Sequence, residues 1–327
     1  MSNLFTTQAA EIEARIATLA GEAGLPSAFI LTDANVAPLI STFMPETERL
    51  VVPAGEESKS LDGARKVWDF LEQKGARRNS LLINVGGGMI SDLGGFAAST
   101  FKRGIRCINL PTTLLAAVDA AIGGKTGINY AGLKNEIGTF SLPLAVLPFT
   151  SLFESLPEAE WLSGVGEAIK TGLLAGSPLY ELATGEEFIV KRNPEVVEKV
   201  VTLCADFKQK IVDQDFKEGG LRRILNLGHT AGHAIESLMM AKGTPIPHGV
   251  AVAYGLLETL EKSHRELGTD IQLLEDYRRL LHRYFPSISL SDSDRIEMHR
   301  LMSHDKKNLS STSVSWVLLR SLGHPIP

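Results

Sequence analysis

The chain has 327 residues, 44% of them hydrophobic and 22% charged, with a formal net charge of −5. That is ordinary globular composition at a length that fits two domains better than one, and the charge gives no electrostatic footprint for nucleic acid. The two cysteines, Cys107 and Cys204, sit in apolar runs and read as buried thiols in a reducing compartment, not as a disulfide or a thiolate metal site.

The first segment is polar, carries Glu11 and Glu13, and lacks the basic region and apolar run of a signal peptide. No stretch reaches membrane-spanning length without a charge or a breaker, so a cytoplasmic protein without membrane or nucleic-acid partners is expected. Ser27–Thr32 and Arg49–Val52 read as strands, with no convincing strand before Ser27 to extend the sheet edge. Leu61–Lys74 is an amphipathic helix. Ser80–Val85 is an apolar run ending in Gly86, Gly87 and Gly88. Ile90–Thr100 is a helix and Arg106–Leu110 a strand. This alternation predicts a parallel sheet covered on both faces. Gly123–Gly138, rich in Gly and Asn, reads as a long functional loop. Helical periodicity then takes over in Glu160–Leu174, Pro194–Val212, Leu227–Met240, Gly249–Leu267 and Ile271–Tyr284, and only Ser313–Leu319 looks like a late strand. The expectation is an α/β domain over residues 1–150 and an all-α domain over 151–327.

Several motifs in this frame can carry chemistry. Glycines after a strand let the backbone approach a phosphate, and the helix that follows offers free N–H groups to it. The pattern at Gly86-Gly-Gly-Met-Ile-Ser-Asp92 is not the standard dinucleotide fingerprint, and a tight turn without a ligand is the plain alternative. Thr112 and Thr113 follow a strand, where they can cap a helix or bind a nucleotide. Asp119 is the only charge between Leu110 and Gly124, an expensive placement unless it is paired or functional. Arg103, Lys125 and Lys134 around the glycine-rich stretch suit an anion such as a phosphate ester, although lysines are usually just solvated. Glu167 reads as lying near a helix start, where the dipole alone would favour an acid. His248 sits between Pro247 and Gly249 before an apolar helix.

His229 and His233 are four residues apart, which turns both imidazoles to one helix face, and Glu236 can join that face. Two histidines and a carboxylate can hold a zinc with one position open. Such spacing also occurs in ordinary helices. Gly228 and Gly232, which precede the histidines, cost about 1 kcal/mol each in a helix relative to alanine, and this suggests close approach of a neighbouring backbone.

Taken together, the runs GGGMISDLGGFAAS, KRGIRCINLPTTLLAAVDAAIGGKTGIN, LKNEIGTF, GEAIK, LNLGHTAGHAIE and HGVAVAYG resemble the 3-dehydroquinate synthase family of the sugar-phosphate cyclase superfamily. The resemblance implies a Rossmann-like NAD-binding α/β N-terminal domain and an all-α C-terminal domain that binds metal and substrate. It also implies a homodimer that takes a small sugar phosphate. The reaction implied is a carbon–oxygen lyase step of the shikimate pathway for aromatic amino acids, dependent on NAD and on zinc or cobalt. Carried over by motif, NAD contacts fall on Asp33, Asn35, Glu56, Lys59, Gly87, Gly88, Asp92, Thr112, Thr113, Lys125, Lys134 and Ser155. Metal ligands fall on Glu167, His229 and His248. The remaining active-site positions are Arg103, Asp119, Lys125, Asn135, Lys170, Lys208, Glu218, Arg222, Asn226, His233 and Lys306. On this reading His233 faces substrate and Glu236 reverts to a structural residue.

The chain departs from the family pattern at Phe149, where aspartate is usual, and at Ser155, where a threonine is common. The serine-rich stretch Asn308–Ser313 leaves Lys306 and Lys307 as alternative substrate contacts. Rival readings are a cyclase acting on sedoheptulose 7-phosphate or glucose 6-phosphate, and a metal-dependent polyol dehydrogenase. A catalytically dead scaffold is disfavoured because every expected ligand position holds a competent residue.

Overall fold

A computed structural model describes residues 9–303 and 315–326. The chain divides into two compact units, Met1–Leu156 and Pro157–Pro327. Among the described residues no helix is long and apolar enough to cross a membrane.

The first unit contains α1 (Ala9–Glu22), β1 (Ser27–Asp33), β2 (Arg49–Val52), α2 (Leu61–Gln73), β3 (Ser80–Gly86), α3 (Gly88–Thr100), β4 (Arg106–Pro111), β5 (Lys125–Tyr130), β6 (Leu133–Phe140) and β7 (Ala145–Val146). Five of its strands form one parallel sheet in the order β2-β1-β3-β4-β7. Side-chain alternation sorts neighbouring residues onto opposite faces. Phe29, Leu31, Leu82 and Cys107 pack with α2 and α3 through Val67, Leu71, Leu93 and Phe96. Ile30, Leu81, Ile83, Ile108 and Leu110 face the other way, against Ile12 and Ile16 of α1 and the segment holding Ile40 and Phe43. Every residue of β3 is buried, so its sequence shows an apolar run and not an alternation. Burial pushes the Cys107 thiol up to about 12, outweighing the lowering effect of Arg106, and Cys204 is also buried and free.

Two parts of this unit differ from the sequence expectation. α1 was not anticipated. Its Ile12 and Ile16 are buried one turn apart, each contributing about 1.5–3 kcal/mol relative to exposure. Gly123–Gly138 is not a loop, because β5 and β6 form an antiparallel hairpin separate from the main sheet. Its turn is Ala131-Gly132, with φ of 50° and 77°. Two left-handed residues in a two-residue connection match the twist of the flanking strands.

The second unit is built from α4 (Glu158–Ala175), α5 (Leu179–Thr184), α6 (Glu186–Ile189), α7 (Pro194–Gln214), α8 (His229–Ala241), α9 (His248–Leu267), α10 (Ile271–Tyr284) and α11 (Asp292–Ser303), plus a small antiparallel pair, β8 (Leu318–Ser321) and β9 (His324–Ile326). The strand expected over Ser313–Leu319 thus begins at Leu318, and residues 313 and 314 lie outside the described residues. Asn193 starts α7 by accepting from the amides of Glu195 and Val196, the usual use of asparagine at a helix start. The helices around the site touch backbone to backbone. A Cβ at Gly166 of α4 would lie 2.0 Å from the Gly249 oxygen of α9, and one at Gly255 of α9 would lie 2.1 Å from the Gly228 oxygen before α8. The glycines beside His229 and His233 are therefore where helices meet.

Candidate active site

In the first unit, the sheet strands taken in chain order run 2-1-3-4-5, which puts a topological switch between β1 and β3. Ligands of open α/β sheets bind at such a switch, beyond the carboxyl ends of the strands. Asp33 ends β1 there, and Gly87 and Gly88 follow β3. Asp33 turns the chain by accepting from the amides of Asn35 (2.9 Å) and Val36 (3.1 Å). Gly87 starts α3 without a side-chain cap, and a Cβ on it would sit 3.1 Å from the Thr113 methyl. The Thr112 amide donates to the Gly86 carbonyl at 3.0 Å, joining the ends of β3 and β4. The Thr112 hydroxyl is buried without a hydrogen-bond partner, a cost of about 1–3 kcal/mol. An uncapped helix start and an orphaned hydroxyl at the switch fit a nucleotide. Thr113 also caps, accepting from the Ala116 amide at 3.2 Å.

Lys59 is buried, with Nζ 2.5 Å from Asp92 Oδ2 and 3.7 Å from Glu56 Oε1. Asn129, which sequence reasoning passed over, ties this turn to the hairpin. Its amide donates to the Lys59 carbonyl (2.8 Å), its Nδ2 donates to Glu56 Oε1 (2.9 Å), and its Oδ1 accepts from the Asn135 amide (2.9 Å). Asn135 holds a left-handed φ of 53°. Lys125 and Lys134 lie on the two strands of this hairpin, both exposed. Asp119 falls in a short π-helical turn, Ala116–Ala120, a geometry that recurs at functional sites. Arg103 is exposed, with a φ of 67°. Ser155 donates its hydroxyl to the Leu152 carbonyl at 2.7 Å.

In the second unit four helical positions converge. Glu167 lies in the middle of α4, not near its start, so the helix dipole does not account for it. His229 opens α8, His233 is one turn on, and His248 opens α9. One ring nitrogen from each histidine lies within 4.8 Å of the others. Glu167 Oε1 is 3.6 Å from His229 Nε2 and 3.4 Å from His248 Nε2. Both carboxylate oxygens are fully buried, and Oε2 pairs with Lys170 Nζ at 2.5 Å. Burial alone would raise the Glu167 carboxyl, but Lys170 and His248 outweigh it and hold it below the usual carboxylate range. Burial lowers His248, and the flanking carboxylates Glu167 and Glu236 override it to about 9. The remaining ring nitrogens are engaged from behind: His229 Nδ1 lies 3.2 Å from the Leu227 carbonyl, and His248 Nδ1 lies 2.9 Å from Glu236 Oε2. A buried carboxylate oxygen facing two imidazole nitrogens whose opposite sides are anchored fits a divalent cation.

Glu236 thus contacts His248 across the two helices. The signal for it was its place on the His229–His233 stripe of α8. Asp215 is a second residue that sequence reasoning missed. Its carboxylate accepts from the amides of Gly219, Gly220 and Arg222, at 2.8, 2.8 and 2.9 Å, and shapes the turn that carries the cations. Arg222 is fully buried and donates Nη1–H to the Phe216 carbonyl at 2.6 Å. Asn226 Nδ2 donates to Glu218 Oε1 at 3.0 Å, with Glu218 at a φ of 60°. Lys208 is buried on α7. Lys306 and Lys307 lie outside the described residues.

Residues 49–163 match the family model for the 3-dehydroquinate synthase N-terminal domain, and residues 164–308 match that for the 3-dehydroquinate synthase C-terminal domain. A 3-dehydroquinate synthase from Parabacteroides distasonis is 42% identical over 302 residues, covering 90% of this chain and 85% of the relative. Among solved structures, a 2-deoxy-scyllo-inosose synthase complexed with carbaglucose-6-phosphate, NAD+ and Co2+ is similar, with a TM-score of 0.85. It is 23% identical, and the match covers 99% of this chain and 90% of that one. A 2-epi-5-epi-valiolone synthase from Streptomyces hygroscopicus with NAD+ and Zn2+ bound has a TM-score of 0.81 at 24% identity, over 100% and 92% of the two chains. At these identities the two structures speak to the fold alone.

Proposed function

The chain belongs to the 3-dehydroquinate synthase family, and on that premise we propose how its residues divide the reaction. The activity is conversion of 3-deoxy-D-arabino-heptulosonate 7-phosphate to 3-dehydroquinate and phosphate, with NAD and a divalent metal. The observation that carries the reading is Glu167 Oε1, buried and 3.6 and 3.4 Å from Nε2 of His229 and His248.

We assign Glu167, His229 and His248 as metal ligands, with zinc as the native ion. When bound, the metal supplies Lewis acidity toward a substrate hydroxyl. NAD would lie at the switch point, held by Asp33, Asn35, Glu56, Lys59, Gly87, Gly88, Asp92, Thr112, Thr113, Lys125, Lys134 and Ser155. When bound, it supplies a temporary hydride acceptor, so the carbon–hydrogen bond beside the new ketone becomes acidic and phosphate can leave as in a lyase. The chain's own groups bind and orient the substrate. Lys208, Arg222 and Asn226 would hold its charged groups on the turn shaped by Asp215. Arg103, Lys125, Asn135 and Lys306 are further substrate contacts. Lys170 fixes Glu167 through the buried pair. His233 relays protons near the leaving phosphate, and Asp119 and Glu218 complete the set. Charge placed on rigid elements before reaction supplies positioning and stabilisation together. We also assign a homodimer and a cytoplasmic location.

Purified protein with NAD and zinc is expected to release phosphate from the heptulosonate phosphate and to form dehydroquinate, with no net NADH. Release only from sedoheptulose 7-phosphate would overturn the substrate, and steady NADH accumulation with glycerol would indicate a polyol dehydrogenase. For the metal, His248→Ala is expected to lower affinity by more than about 100-fold, beyond what loss of a supporting residue does. His233→Ala should retain most of the metal. Equal loss in both, read by elemental analysis after dialysis, would refute the assignment.

A further inference from the structure

We propose that Glu236 is a positioning residue for the metal centre. Its carboxylate holds His248 in the tautomer that keeps the proton on Nδ1 and leaves Nε2 bare toward Glu167. The proposal rests on the metal reading above and extends it to a residue outside the ligand set.

The two ligand imidazoles are anchored in different ways. His229 Nδ1 faces a main-chain carbonyl, Leu227 O, at 3.2 Å, and its side chain is only 11% exposed. Packing and backbone together fix that ring. The His248 side chain is 34% exposed and stands at the first position of α9, so packing holds it less. Its anchor is Glu236 Oε2, 2.9 Å from Nδ1, on a side chain 13% exposed. A hydrogen bond to an ionised acceptor is roughly twice as strong as a neutral one. The partner on one ring nitrogen decides which nitrogen carries the proton and which is open to a metal.

The frame keeps this distance fixed. Glu236 is on α8 and His248 on α9, and these helices meet at Gly232 and Gly255, where a Cβ on Gly255 would lie 2.5 Å from the Gly232 nitrogen. Glu236 meets His248 at Nδ1, at 2.9 Å, whereas Glu167 faces Nε2 of the same ring, at 3.4 Å. It stands behind His248, on the ring edge away from Glu167. The single-helix set of His229, His233 and Glu236 that spacing suggests is therefore replaced by a cross-helix arrangement in which Glu236 acts through His248.

The experiment compares wild type with Glu236→Ala and Glu236→Gln. Three quantities are measured: zinc affinity by competition with a chromophoric chelator, the visible absorption of cobalt(II)-loaded protein, and the thermal midpoint after metal removal. Glu236→Ala is expected to weaken zinc by about 10–100-fold and to alter the cobalt spectrum. Glu236→Gln keeps an oxygen that accepts from Nδ1–H, so it should recover most of the affinity and spectrum. Both metal-free variants should still unfold in one cooperative transition, so that a change in affinity or spectrum is not a loss of fold. Unchanged affinity and spectrum in Glu236→Ala, while His248→Ala loses metal, would overturn this proposal and leave the ligand set standing. Equal loss in the Gln and Ala variants would also overturn it. A wild type that takes up no metal would remove the ligand set along with it.

Discussion

Glu167→Gln is expected to abolish tight metal binding and to destabilise the metal-free protein by about 3–5 kcal/mol, the usual cost of breaking a buried ion pair from one side. Glu167 and Lys170 are each 1% exposed and 2.5 Å apart. Neutralising the carboxylate removes the negative charge that lies 2.5 Å from the buried Lys170 ammonium. Burial favours the neutral acid, and Lys170 and His248 outweigh it to keep the carboxylate ionised. Replacing both members removes the buried ammonium as well. Glu167→Gln combined with Lys170→Met should therefore regain most of the stability while remaining unable to bind metal. Urea unfolding of chelator-treated protein measures the first effect, and metal titration the second. A single variant within about 1 kcal/mol of wild type would show that the pair is not buried in solution, because exposed pairs are worth about that or less. In metal-loaded protein the gap should widen further, since a ligand bound only by the folded state adds to stability by mass action.

Gly249→Ala is expected to cost at least about 3 kcal/mol and to weaken metal binding, although it removes no polar group. Overpacking a well-filled contact commonly costs 1–3 kcal/mol, and here the obstacle is backbone. The added methyl would lie 1.7 Å from the Ser163 oxygen and 2.6 Å from its carbonyl carbon. Relief requires α4 and α9 to separate by more than an ångström, which also strains the bond from the Gly249 amide to Ser163 Oγ, now 3.0 Å. Glu167 and His248 adjoin Gly166 and Gly249, so the same movement pulls two proposed ligands apart. Gly21→Ala in α1 is the control. It meets nothing within 4 Å and has no left-handed backbone, so it should be neutral or stabilise by about 0.4–1 kcal/mol. Similar unfolding midpoints for the two variants would contradict the close approach at Gly249.

The sheet strands were legible because a strand buried on both faces is written as an unbroken apolar run, as Ser80–Val85 is. The β5–β6 hairpin was not, because β6 is exposed almost throughout and has no apolar side to reveal its period. α1 carries Ile12, Ile16 and Leu19 at helical spacing, but the stripe is short and set among alanines and charged residues. At the site, helical spacing placed His229 and His233 on one face. It could not supply Glu167 and His248, which arrive from other helices by a crossing that a local pattern does not encode. Those two came from resemblance to a family. The same limit explains Glu236: its partner is on α9, and only the packed helices bring the two together.

The glycines at the helix crossings decide what would be needed to move this site elsewhere. Glu167, His229 and His248 could be grafted onto another three-helix frame, but helices with ordinary side chains at their contact sit 8–10 Å axis to axis. Gly166, Gly228, Gly232, Gly249 and Gly255 each place bare backbone against a neighbour. A graft that carried the ligands without them would set the carboxylate and imidazoles too far apart to share one ion. On the proposed assignment, the transferable unit is the five glycines with Glu167, His229, His248 and Glu236.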